Sequence, residues 1–462
     1  MSTSLYPPAS VPQWLSLGSN AWVLAATTFV MIQSIPALAV FYAGLTRRRF
    51  ALNTAMMVLY SFTSAVVVWM LLGYGLSFYS SSITLNGFHL LGLPLPVWYL
   101  PFLNQTVYGP SNTGLNIPLY TFIMFQFAFA AITPALIVGA IVERFNFKAW
   151  LLYSPLWVIL VYSPVAYWMF AGGWLNQLHA VDYAGGYVIH MTAGFAALAL
   201  AGAVGPRRAQ EMRVEAHNLL VVMIGFGLDW VGWNGFNGGA AGGATLDAAL
   251  AILNTNFAAA AAAMVWMALD MRKFKRASFV GMVSGAFSGL VGITPMAGLV
   301  NPGEALLTGL LAGTLCWSAM YKLLPVLRVD DALGVFPIHG VGGVVGGLLT
   351  GLFIDPAVAS LYLPGYRGAL FGDPWQLWVQ GIAVIAVAGY SLAASYLLAK
   401  VVKLIVPLRL SEEEIRRGDM AVHGETAYSG LAEEAFSGER EGEGKDEEFP
   451  MESMKERTSG ET

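Results

Sequence analysis

Eleven stretches of the chain are apolar enough, with few or no charges, to cross a hydrocarbon core. They cover residues 21–43, 51–78, 117–141, 149–170, 185–205, 217–237, 248–270, 278–299, 305–325, 334–354 and 375–406. A bilayer needs about 20 mostly apolar residues per helix, and each stretch supplies that length. The spacing therefore predicts an all-α polytopic membrane protein with eleven transmembrane helices. Only helices satisfy every backbone N–H and C=O within a single lipid-exposed segment.

Charge gives the expected orientation. Lys and Arg accumulate in cytoplasmic connections. With the N-terminus outside, the inner side receives Arg47, Arg48, Arg49, Arg144, Lys148, Arg207, Arg208, Arg213, Arg272, Lys273, Lys275, Arg276, Lys322, Arg328, Lys400, Lys403 and Arg409, while the outer side receives only Arg367. The 38-residue outer connection 79–116 has no Lys or Arg. The first twenty residues have none either, so the basic start of a secretory signal peptide is missing and the first helix is expected to stay in the membrane.

Composition agrees with a lipid solvent: of 462 residues, 56% are apolar and 11% charged, and the mean hydropathy is +0.61. The net charge of −4 hides a division, since residues 411–462 carry 16 Asp/Glu against 6 Lys/Arg and the remainder carries 12 against 18. Four parts are expected: an extracytoplasmic segment 1–20, an eleven-helix transmembrane body 21–410, an ordered cytoplasmic region 411–428, and an acidic, disordered tail 429–462 poor in large apolar groups. The single cysteine, Cys316, lies in the apolar run LLAGTLCWSAM, which excludes a disulfide framework and a cysteine metal cluster. No nucleophile, phosphate loop or metal cluster stands out, so neither an enzyme nor a cofactor is expected. An acidic tail without a soluble basic domain argues against nucleic-acid binding.

An odd number of spans allows two five-helix halves of opposite orientation plus one extra helix, the plan of inverted-repeat transporters whose site lies between the repeats. Each half offers one intramembrane histidine late in its fifth helix: His190 in GGYVIHMTAG and His339 in FPIHGVGGVVGG. Pro337 is expected to interrupt the tenth helix, and Gly340, Gly342, Gly343, Gly346 and Gly347 would let two helices approach closely. Ionisable groups at membrane depth are costly and mark function by default. Four qualify: Asp182, His190, Asp229 and His339. Asp182 precedes His190 by eight residues, roughly 12 Å along a helix. It fits a helix N-cap as well as a cation pathway. Two facing imidazoles in an apolar conduit would be neutral and joined by a hydrogen bond, leaving their other ring nitrogens to line a pore as one donor and one acceptor. A bare cation entering hydrocarbon would lose hydration worth tens of kcal/mol, far more than a small neutral molecule loses.

The strings VDYAGGYVIH (181–190), VFPIHGVGG (335–343), FQFAFAAITPALIVGAIVER (125–144), VGWNGFNGG (231–239), SIPALAVFYAGL (34–45) and SEEEIRRGDMAVHGETAY (411–428) resemble, in family order, segments of the ammonium transporter family (Amt/Mep/Rh). The resemblance implies an eleven-helix subunit, a homotrimer and one ammonium or ammonia pore through each subunit. By the same resemblance, His190 and His339 match the paired pore histidines and Asp182 the outer aspartate. Phe129 and Phe236 match the stacked pair closing the outer mouth, and Gln126 a glutamine beside that gate. The outer recruitment site would comprise Phe129, Phe170 and Gln126.

Three positions depart from the family pattern. Phe170 stands where bacterial members usually have tryptophan, and Ala240 where a serine hydroxyl is expected, which implies weaker cation capture. Asp229, in GFGLDWVGW, replaces an aliphatic residue; positions 229, 233 and 236 share one helix face, so Asp229 is expected either in the lumen about 10 Å below the gate or at a subunit contact. The resemblance also implies that the 411–428 region packs under the cytoplasmic face and that a PII-type signalling protein can plug the inner mouth. An ammonium sensor that conducts little and an Rh-like gas channel for neutral ammonia are the alternatives. The expected location is the cell (plasma or inner) membrane, multi-pass, with the C-terminus cytoplasmic.

Overall fold

The computed structural model describes residues 11–100, 115–208, 216–360 and 362–428. Eleven helices in it are long and apolar enough to span a bilayer: α1 Leu17–Leu45, α2 Arg48–Phe78, α3 Leu119–Ile141, α4 Phe147–Gln177, α5 Gly186–Val204, α6 Leu219–Gly239, α7 Leu246–Phe274, α8 Phe279–Met296, α9 Pro302–Leu327, α10 Phe336–Phe353 and α11 Pro374–Lys403. Each coincides with one of the eleven apolar stretches. α3 is buried along nearly its whole length, so its continuous apolar sequence is what an interior helix requires. α11 lies along α4, α5 and α10, strapping the two five-helix halves together.

The halves meet where α5 crosses α10. A Cβ on Gly194 would overlap the backbone of Gly340, and one on Gly343 would press on Gly186 O and Met191 N. Both helices open with a widened π turn, Gly186–Met191 and Phe336–Val341. A carboxylate caps each one. Asp182 accepts from the N–H groups of Gly185, Gly186, Tyr187 and Val188 at 2.7–3.1 Å, and Asp331 accepts from Val335 at 3.0 Å and Phe336 at 2.7 Å. Such caps satisfy donors that a helix start leaves orphaned in a dry interior.

These caps correct two expectations. The histidines lie in the first two turns of α5 and α10, not late in them, because each helix begins only a few residues after its capping aspartate. Pro337 does not interrupt α10; it occupies the first turn, where a missing N–H costs nothing.

A hairpin lies in the 79–116 connection, with strand β1 Ser81–Leu85 and strand β2 Phe88–Gly92. Asn86 and Gly87 turn the chain with φ of 50° and 84°, the left-handed pair that a tight hairpin demands. Trp168 Nε1 at the end of α4 donates to Leu90 O at 2.8 Å, holding the hairpin over that end of the helices.

The opposite face, which carries most of the arginines and lysines, is bound by buried ionic contacts. Arg207 donates to both Asp330 oxygens at 2.6 and 2.8 Å. Arg144 reaches Gly205 O at 2.8 Å and also bonds Asp330 O, and Glu143 accepts from Arg47 N at 2.7 Å. The ends of α1, α3, α5 and α9 are thereby tied together. Beneath them lie two short helices, α12 Glu412–Arg417 and α13 Asp419–His423. Asp419 accepts from Leu52 N at 2.9 Å and Asn53 N at 2.8 Å at the start of α2. Burial pushes its carboxyl up to about 6 against those two bonds. His423 Nε2 contacts Asn53 Oδ1 at 2.9 Å, and His217 bridges Thr46 O at 2.9 Å and the Tyr428 hydroxyl at 2.7 Å. The acidic segment 429–462 lies outside the described residues.

Gly194→Val should destabilise the protein by about 1–3 kcal/mol, since two backbones meet there and neither can yield. Gly202→Ala, on the same helix with no atom within 4 Å of the added carbon, should leave the melting temperature unchanged or raise it. Thermal unfolding in detergent distinguishes the two.

Candidate functional site

The two capped helices bring their histidines together. His190 Nδ1 lies 3.2 Å from His339 Nδ1, the rings tilted by 26° with centroids 5.3 Å apart. Both are buried, His190 at 1% exposure and His339 at 6%. A hydrogen bond between two Nδ1 atoms requires one to carry the proton and the other a lone pair. The imidazoles are therefore in opposite roles, and two imidazolium rings could not make this contact. The remaining nitrogens become one acceptor and one donor. His190 Nε2 is buried without a protein partner.

Aromatic rings hold the pair in place. Trp233 stacks on His190 at 4.9 Å and 16°, and Phe236 at 5.5 Å and 22°. Trp233 is fixed in turn by donating Nε1–H to Thr294 Oγ1 at 3.0 Å. Phe129 of α3 meets Phe236 edge to face at 4.5 Å, a geometry favoured by the ring quadrupoles. Both phenylalanines are essentially inaccessible, Phe129 at 2% and Phe236 at 0%. Phe129, Phe236 and the two imidazoles thus form a closed waist.

A cavity of about 460 Å³ lies on each side of that waist. The cavity on the hairpin side is lined by Gln126, Phe129, Phe170, Asp182 and Ala240, together with Asp247 and several tyrosines. Asp182 keeps its carboxyl within this wall; burial pushes it up to about 6 against the opposing pull of four N–H bonds. Phe170 stacks on Phe78 with centroids 6.5 Å apart, and Gln126 Oε1 is without a partner. The cavity on the basic face is lined by Tyr42, Asp229, Trp233, Asp331 and His339. Asp229, Trp233 and Phe236 share one buried face of α6, at 2%, 1% and 0% exposure.

The candidate residues therefore gather at the two cavities and the waist between them. Asp182, Gln126 and Phe170 stand in one cavity, Phe129, Phe236, His190 and His339 at the waist, and Asp229 in the other cavity. Two members were not picked out from the sequence. Asp331 is the counterpart of Asp182, and burial also pushes its carboxyl up to about 6. The signal was available: Asp182 precedes His190 by eight residues and Asp331 precedes His339 by eight. Trp233 enters the sequence reading only as a position on the helix face of Asp229 and Phe236. Its stacking on His190 depends on a contact between α5 and α6 that sequence spacing does not reveal. Among the described residues no cluster of metal-ligating side chains occurs.

Comparison with known proteins places this arrangement. The sequence is 39% identical over 436 residues to ammonium transporter 2 of Arabidopsis thaliana, covering 92% of this chain and 91% of that protein. The fold is similar to the crystal structure of Candida albicans Mep2, with a TM-score of 0.78, 31% identity and coverage of 88% of this chain and 89% of that one. It is also similar to a structure described as a sensor Amt protein, with a TM-score of 0.77, 28% identity and coverage of 88% and 98%. The sequence model of the Ammonium Transporter Family matches residues 21–428. A chain matched over that span, with eleven bilayer-length helices, belongs to the ammonium transporter family and is a multi-pass membrane protein of ammonium transport, not an enzyme.

Proposed function

We propose that each subunit conducts ammonium or ammonia through the line of cavities and waist, with the two histidines as the polar element of an otherwise apolar pore. The observation that carries this is the 3.2 Å contact between the Nδ1 atoms, made in a buried waist between two open cavities. A permeant with N–H donors and a lone pair, such as ammonia, can pass from ring to ring, exchanging one hydrogen bond for another. A fully hydrated ion cannot enter a waist closed by Phe129 and Phe236, so it must shed water first. The cost of that loss is what the ring nitrogens offset.

The hairpin-side cavity is the proposed recruitment site, formed by Phe129, Phe170 and Gln126, with Phe129 and Phe236 as the gate. Asp182 holds the entrance by capping α5, and a fixed negative charge in that wall favours an approaching cation. The excess of Arg and Lys on the other face supports an N-terminus outside and a cytoplasmic C-terminus in the cell membrane. The docking of the 411–428 region on the start of α2 suits a regulatory role. Assembly as a homotrimer and binding of a PII-type protein at the cytoplasmic face are proposed from the family resemblance.

An ammonium sensor with little conduction is the second reading. It is favoured by the weakened cation site at Phe170 and Ala240 and by the likeness to a sensor Amt structure. An Rh-like neutral gas channel predicts uptake without charge movement.

Ammonium pulses on proteoliposomes should evoke an inward current in the wild type. His190→Ala should lower it roughly tenfold or more, as expected for losing a hydrogen bond worth about 1.5–3 kcal/mol. No current with ammonia uptake would favour the gas channel, and neither signal would favour the sensor. Phe170→Trp combined with Ala240→Ser should lower the half-saturating ammonium concentration by roughly threefold to tenfold, because indole is the better cation–π partner.

A further inference from the structure

Asp229 lies midway along α6, as far as possible from either end of its helix. A carboxyl group at that depth is expensive, yet this one is only partly provided for. The Gln33 side chain bonds one of its oxygens, while Oδ2 is buried with no partner among the described residues. The residue is 98% buried within the chain, at 2% exposure, and it lines the basic-face cavity with His339. It therefore faces neither lipid nor another subunit.

Among the described residues, the other titratable groups lining that cavity make contacts of their own. Tyr42 donates its hydroxyl proton to Leu136 O at 3.0 Å. The two Asp331 oxygens cap α10. His339 contacts His190 through Nδ1, and Tyr321 packs edge-on against Phe274. Asp229 Oδ2 is the carboxylate oxygen left over. Along its helix face the order is Phe236 at the gate, Trp233 on His190, then Asp229 one turn further on, about 6 Å along the axis.

We infer that Asp229 is an ammonium-binding carboxyl group on the basic-face side of the histidine pair, its Oδ2 accepting an N–H hydrogen bond from the cation at the end of the waist. The inference rests on the transport reading above and deepens it. A carboxylate at this point offsets the lost hydration of a charged permeant where the waist opens. It lowers the energy of the cation relative to neutral ammonia, so charge movement is favoured on that side.

The test compares wild type, Asp229→Asn and Asp229→Glu in proteoliposomes pulsed with ammonium. Asn keeps the shape and the Gln33 contact but removes the charge, and should lower the ammonium-evoked current about tenfold, the loss of a charge-assisted hydrogen bond. Glu should retain current to within about threefold of wild type. Infrared difference spectra of the wild type with and without ammonium should show a carboxylate change that Asn lacks. Wild-type current in the Asn variant, equal loss in Asn and Glu, or no carboxylate change in the wild type would overturn the inference. A silent wild type would remove the transport reading itself.

Discussion

Two imidazoles joined through their Nδ1 atoms hold a single proton between them, and that restriction organises the rest of the protein. The contact demands that two helices from opposite halves deliver their rings to one point, edge to edge, at direct hydrogen-bond distance. Gly194 and Gly340 let α5 and α10 touch backbone to backbone, and the glycines that follow on α10 keep the contact open. Asp182 and Asp331 start each helix at a fixed distance from its histidine, so the register of one ring against the other is set by two caps. Trp233 then clamps His190 from the side, itself locked by Thr294.

Burial explains why the caps are carboxylates. A helix that begins inside a membrane protein leaves N–H groups without water, and a neutral side chain satisfies one or two of them at most. Asp182 takes four. The same economy governs the basic face, where Arg144 and Arg207 direct their donors to Asp330 and to helix-end carbonyls, tying the connections of the two halves together beneath the cavity. The 411–428 region rests on the start of α2 through Asp419 and His423, and Tyr428 bonds His217, which in turn reaches Thr46 O in the α1–α2 connection. Tyr42 and Leu45, in the last turn of α1 before that connection, help to line the basic-face cavity.

Much of the fold could be read in advance because lipid imposes a simple rule. Every spanning helix must be apolar over about 20 residues, and the eleven stretches obey it. The hairpin at 81–92 was missed because its strands are short and lie outside the bilayer, although Asn86-Gly87 carried the turn signal. At the site, the histidines announce themselves as rare polar residues in matching halves. The eight-residue spacing from aspartate to histidine occurs twice, yet only Asp182 was singled out, since Asp331 sits beside Asp330 and reads as a charged loop. What spacing could not supply was pairing between distant elements: which imidazole atoms meet, which tryptophan stacks on them, and which of two cavities receives Asp229.

The shared proton can be observed directly. Solid-state NMR on histidine-¹⁵N-labelled protein in lipid bilayers should detect a coupling between the Nδ1 atoms of His190 and His339, with one ring bearing its proton on Nδ1 and the other on Nε2. Two uncoupled rings in the same tautomer, or two imidazolium rings at neutral pH, would contradict the account.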